Sequence, residues 1–167
     1  MNKDSTIDTI LAFLSEKGIT YQLTSINEPC FLPGIKIKQG TLILNRAQVS
    51  YPGDILHEAG HIAVAAPSER EKLSDEITGS PAEEMAAMAW LYAATVALKM
   101  DPHVVFHADG YKGGGAHLAA QYATETVHNS TAPGVPMLQW FRMTQSFPQM
   151  DQWIRTIEDP TQALPNS

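Results

Sequence analysis

The segment His57-Glu58-Ala59-Gly60-His61 sets two imidazoles four residues apart with a carboxylate between them. On a helix, residues i and i+4 project from one face, so both rings can reach one metal ion. Glu58 lies about 100° round the helix from His57. Its carboxylate then stands beside the ion rather than against it, where it can take a proton from water that the metal acidifies. Random placement of the 6 His in 167 residues gives this pattern in only about 1% of chains of this composition. The chemistry indicated is hydrolysis at a Zn²⁺ ion with three protein ligands and an open position.

The third ligand must come from another element. Glu83 and Glu84 stand at the start of the next long helical stretch. Glu84 shares a stripe with Met88, Leu91, Thr95 and Leu98, and Glu83 shares one with Ala87, Trp90 and Ala94. The bulkier stripe is expected to face the core and the metal helix, which favours Glu84. Glu83 is then an exposed first-turn acid near the positive end of the helix dipole. Both stay open at this point, because a shift of one residue in the helix start exchanges them.

Other residues invite similar readings. His103 and His107 repeat the i, i+4 spacing without the internal Glu, and share a face if residues 102–109 are helical. A second metal site stands there against the commoner role of a solvent-facing or capping histidine. His107, Tyr111 and His117 flank Gly113-Gly114-Gly115 and are candidate donors to a tetrahedral oxyanion. The glycine run has neither the preceding strand nor the following Lys-Ser/Thr of a phosphate loop, and reads as a hinge or spacer. Cys30 has no local His partner, so it is not a nucleophile. As the sole cysteine it excludes an internal disulfide and a thiolate-rich metal cage. Met85, Met88, Met100, Met137 and Met143 read as core filler.

The elements that must position this chemistry follow from periodicity and breakers. Ile7, Ile10, Leu11 and Leu14 form an amphipathic helix over residues 5–17, with Ser5 or Asp4 as cap and Gly18 at its end. Alternation at Ile19, Tyr21 and Leu23 reads as a strand. Residues 35–38 and 41–45 form a hairpin about Gln39-Gly40. The metal helix spans residues 54–66 and stops at Pro67. A charged, exposed connection leads to the long helix over residues 81–100. A short helix then runs from Pro102 to near Gly110, and another covers residues 116–128. Residues 137–143, with Trp140 and Phe141, are expected to be buried. The order is helix, small sheet, then helices, an α+β domain.

Composition bounds the rest. Apolar residues make up 44% and charged residues 17%, which excludes a disordered tail. A net charge of −7, from 11 Lys and Arg against 18 Asp and Glu, argues against direct nucleic-acid or anionic-lipid binding. No apolar run reaches the roughly 18 residues of a membrane helix. Met1-Asn2-Lys3-Asp4-Ser5 is not a secretory start, so a cytoplasmic protein is expected. Residues 1–158 are read as one domain and residues 159–167 as a flexible tail.

The run Gly40-Thr41-Leu42-Ile43-Leu44-Asn45, a short Pro-containing loop, and Ile55-Leu56-His57-Glu58-Ala59-Gly60-His61 together resemble the ImmA/IrrE-type zinc metallopeptidases. In that family a strand of the form "tiyln" precedes a HExGH helix, and a later helix of the form E-A-N-x-F-A supplies a Glu ligand. Here Glu84-Met85-Ala86-Ala87-Met88-Ala89 matches the Glu and the final Ala and departs at the Ala, Asn and Phe positions. The resemblance covers residues 19–98. It implies a zincin-like α+β fold with a small antiparallel sheet, zinc on His57, His61 and Glu84, and Glu58 as general base. It also implies a protein or peptide substrate, since several members act on transcriptional repressors. The rival reading is a zinc-containing binding module that recognises a partner protein or small ligand without turnover.

Overall fold

The structure is a computed structural model that describes residues 2–75, 79–107, 119–123 and 132–159. Its first element, α1 (Lys3–Lys17), begins two residues before the expected start. Asn2, rather than Ser5 or Asp4, is the cap, and its side chain accepts from the Ser5 N–H. The predicted stripe of Ile7, Ile10, Leu11 and Leu14 is buried, joined by Phe13.

Three short strands follow: β1 (Tyr21–Leu23), β2 (Ile35–Lys38) and β3 (Thr41–Leu44). The expected hairpin forms, with β2 antiparallel to β3. Gln39 and Gly40 both take positive φ, of 50° and 72°, as a two-residue primed turn requires. The expectation of an antiparallel sheet fails at β1. It pairs with β3 in parallel, Tyr21 opposite Leu42 and Leu23 opposite Leu44, and the strand order is β1-β3-β2. A tight turn would have laid β1 against β2 in antiparallel. Instead the long connection over residues 24–34 lets β1 pass to the far side of β3. The sheet is mixed and the class is α+β.

The helix carrying the histidines, α2 (Gly53–Val64), is buried along most of its length. It contacts α1, β2 and β3, and packs most extensively on α4 (Pro81–Ala97). It ends before Ala66, because Pro67 opens a separate short turn, α3 (Pro67–Arg70). The last carbonyls of a helix lack intrahelical donors, and two arginines supply them here. Arg70 bonds the Ile62 and Ala65 oxygens, and the buried Arg155 bonds that of Val64. Trp153 closes the same end, edge-on to both Phe13 and Trp90.

The connection after α3 is less exposed than its charge suggests. Leu73 is buried, Ser74 bridges to Lys38, and the Asp75 carboxylate accepts from the Ile37 N–H at 2.8 Å. After α4 the helix α5 (Pro102–Val105) is a single turn. Of the stretch expected to be helical over residues 116–128, residues 119–123 are helical and the others lie outside the described residues, as do residues 160–167 of the tail. In the helix Val135–Trp140, Val135 and Leu138 face inward and Phe141 follows them into the core. Trp140 does not: it is 51% exposed, as Met85 is 48% exposed. Both residues stand on the outward side of helices whose inner faces are already filled. No helix among the described residues is long and apolar enough to cross a membrane.

Candidate metal centre

The site begins with how α2 and α4 meet. A Cβ added to Gly60 would lie 3.0 Å from the Ala87 carbonyl oxygen and 3.3 Å from the Trp90 ring. The missing side chain therefore lets the two helices approach at the turn that separates His57 from His61. Ala87 is one turn beyond Glu84, so this contact carries the Glu84 carboxylate over both imidazoles. Its Oε1 is 3.1 Å from His57 Nε2, and its Oε2 is 2.8 Å from His61 Nε2. Donor atoms of the three residues all lie within 4.8 Å of one another. They are the only such group of His, Cys, Asp or Glu among the described residues.

Glu83 goes elsewhere. The Ser80 side chain accepts from the Glu83 N–H while the Glu83 carboxylate accepts from the Ser80 N–H, a reciprocal capping box at the start of α4. The structure thus brings Glu84, and not Glu83, to the histidines.

The donor set suits a divalent transition metal, since imidazole nitrogens and a carboxylate are its ordinary ligands. His61 is buried, and its Nδ1 has no hydrogen-bond partner among the described residues. All polar contact of that ring is therefore on the Nε2 side, toward Glu84. Without an ion the carboxylate serves both rings. Hydrogen bonds from His57 and then His61 hold Glu84 far below the ordinary carboxylate range. Burial acts to lower the pKa of His61, but its hydrogen bond to Glu84 and the charges of Glu84, Glu58 and Glu83 outweigh it, so the ring is shifted upward. A metal that replaces those protons takes over the role of holding the three groups together.

Glu58 is half-buried and lines the same cavity, of about 230 Å³, with the three donors, Phe31, Leu32, Ile35 and Asp75. Burial raises its pKa, and the neighbouring His61 and His57 partly offset that rise. It is outside the donor group, as its position on the helix requires.

Of the remaining sequence candidates, His103 and His107 do not line this cavity. Helix α5 ends at Val105, so His103 and His107 do not share a helical face, and His103 is exposed. His107 bonds instead to the buried Asp54 at 3.2 Å and stacks on Tyr51, with ring centroids 3.8 Å apart. Asp54 precedes His57 by one turn of α2, so the pair fastens the chain after α5 to the start of the metal helix. Tyr111, His117 and the Gly113-Gly114-Gly115 run lie outside the described residues. Sequence reasoning missed Asp75 and Phe31. Both come from segments read as connections, and nothing in their local pattern marks them as cavity walls.

No family model, curated protein or solved structure matches the chain.

Proposed function

We propose that this chain is a zinc metallopeptidase of the ImmA/IrrE-like kind, hydrolysing a peptide bond in a protein or peptide substrate. The observation that supports it best is the joint placement of Glu84 against both histidines and of Glu58 in the same cavity. The separations of 2.8 and 3.1 Å run to different oxygens of Glu84, and one donor atom from each of the three residues lies within 4.8 Å of the others. A tetrahedral zinc with ligand bonds of about 2.0–2.1 Å sets its ligand atoms about 3.3 Å apart.

Zinc bound there supplies Lewis acidity, acidifying water and polarising the scissile carbonyl. His57 and His61 would hold it as neutral rings, and Glu84 would add one negative charge. Glu58 takes the proton of the attacking water and delivers it to the leaving amine nitrogen. Burial raises the pKa of this carboxyl in the metal-free chain, which opposes the downward pull that a neighbouring cation would exert. The contact of Gly60 with Ala87 sets how closely the two helices that carry the donors approach. The resemblance makes a transcriptional repressor the first substrate to try.

Elemental analysis and hydrolysis of an unfolded protein probe test this reading together. The expected result is one zinc per chain and cleavage that a chelator stops and added zinc restores. One zinc per chain with no cleavage of any protein offered would replace the peptidase by the binding module.

A further inference from the structure

The metal cavity has walls that the hydrolytic chemistry does not use. Phe31 is 98% exposed at its rim, an aromatic ring with almost no cover from its own chain. Leu32 and Ile35 continue that apolar side. Asp75, exposed, lines this cavity and also a second depression of about 570 Å³, so a chain passing from one to the other passes Asp75. The second depression lies against Gln22, Thr24, Lys36 and Lys38.

Strand β2 borders both depressions, through Ile35 and Ile37 respectively. Its N–H groups at those positions are already taken, Ile35 by the Leu32 carbonyl at 3.1 Å and Ile37 by Asp75 at 2.8 Å. Ser74 bridges to Lys38 beyond them. An extended ligand cannot add to this edge by backbone pairing at Ile35 or Ile37 without displacing those contacts. Recognition therefore falls on side chains.

Charge sets the chemistry of one of them. Glu58, Asp75 and Glu84 all line the metal cavity, and a divalent ion balances only two of these carboxylates. Lys36 is paired with Glu28 at 2.6 Å, and Lys38 lines the second depression only. Lys36 also feels the charge of Asp75, but no Lys or Arg among the described residues lines the metal cavity itself, so one negative charge there stays in excess and Asp75 carries it to the junction.

We propose that the cavity selects a short peptide segment carrying one large apolar side chain, received by Phe31 and Leu32, and one basic side chain, received by Asp75. The inference rests on the peptidase reading above and adds the substrate class. Phe31 and Asp75 are specificity-determining residues here, outside the reacting centre.

The test offers the zinc-loaded full chain a pool of end-capped peptides with randomised central positions, and reads the cleavage sites by mass spectrometry. Sites should be enriched in Phe, Leu or Met together with Lys or Arg. In a matched pair of peptides differing only as Lys or Gln, the Lys peptide should have the higher kcat/KM. Asp75→Asn keeps an oxygen for the Ile37 N–H and removes the charge, so it should lower that preference about three- to tenfold, the range for a partly screened charge pair. Phe31→Ala, at a position with almost no internal contacts, should raise KM for the apolar peptides and leave the Lys preference in place. Cleavage without a basic preference, or a preference that survives Asp75→Asn, overturns this inference alone. A pool left intact by the wild type overturns the peptidase reading, and this inference with it.

Discussion

Gly60 on α2 faces the backbone of Ala87 on α4, and a Cβ there would sit 3.0 Å from the Ala87 oxygen. Two elements far apart in sequence thus meet at the one turn of α2 that lies between His57 and His61. The Glu84 carboxylate reaches both rings because nothing at position 60 holds the helices apart.

A side chain at Gly60 should therefore weaken metal binding before it unfolds the protein. Gly60→Ala gains helix propensity of about 1 kcal/mol, which offsets part of the crowding. Gly60→Val brings branched methyls against the Ala87 carbonyl and Trp90, and should cost about 1–3 kcal/mol as overpacking. Competition with a chelator should show zinc lost from Gly60→Val at lower chelator concentration than from wild type. Unchanged retention would show that the separation of the helices does not govern the site.

Glu83 and Glu84 should separate cleanly on substitution. Glu84→Gln keeps the shape but exchanges a carboxylate ligand for an amide, so zinc retention should fall steeply. Glu83→Gln keeps an oxygen that can accept from the Ser80 N–H, and should change stability by only a few tenths of a kcal/mol, about the effect of a minor cap change. Glu83→Ala removes the reciprocal bond and should cost about 1 kcal/mol of stability with zinc retained. Zinc content and thermal melts on the three variants check the assignment, which the opposite pattern would reverse.

Two of the shifted groups, His61 and Glu84, give the metal-free protein a definite pH signature. His61 has a raised pKa, so its contribution is complete below its unfolded value of about 6.5 and is lost as pH rises through the folded value. Glu84 has a depressed pKa, so its contribution is complete above its unfolded value of about 4.3 and is lost as pH falls through the folded value. Both act in full only between about pH 4.5 and 6.5. The energy is modest, since the Glu84 side chain is 47% exposed and screened by solvent. Zinc requires the neutral rings, so its stabilisation should run the other way, small in that window and growing through neutral pH. Melting temperatures with and without zinc, taken across that range, measure the difference. A zinc stabilisation independent of pH would exclude the histidines as ligands.

Much of this arrangement was legible in the sequence, and the reasons differ by element. Helix α2 announces itself through spacing and its proline boundary, so the placement of His57, Glu58 and His61 on one helix could be read directly. The hairpin was marked by Gln39-Gly40. The parallel pairing of β1 was not, because three residues carry no register signal and the long connection does not say which edge it reaches. The choice of Glu84 rested on the bulk of its stripe, yet both stripes of α4 are buried. The sharper signal was Ser80-Pro81-Ala82-Glu83, an S-x-x-E pattern that commits Glu83 to the helix end. Trp140 misled because residue type was read as burial on a helix of six residues. Asp75 and Phe31 enter the cavity wall only through tertiary packing, and no local pattern could have placed them there.

The most direct measurement is the zinc content and peptide hydrolysis of Glu58→Gln, determined on the same preparation. The substitution leaves His57, His61 and Glu84 intact and nearly preserves the side chain's shape, but the amide cannot take a proton. Zinc should stay at one per chain, and hydrolysis should fall about 10²–10⁴-fold, the usual contribution of a positioned base. Full hydrolysis by a zinc-loaded Glu58→Gln protein would contradict the account, because the proton would then be passing through some other group.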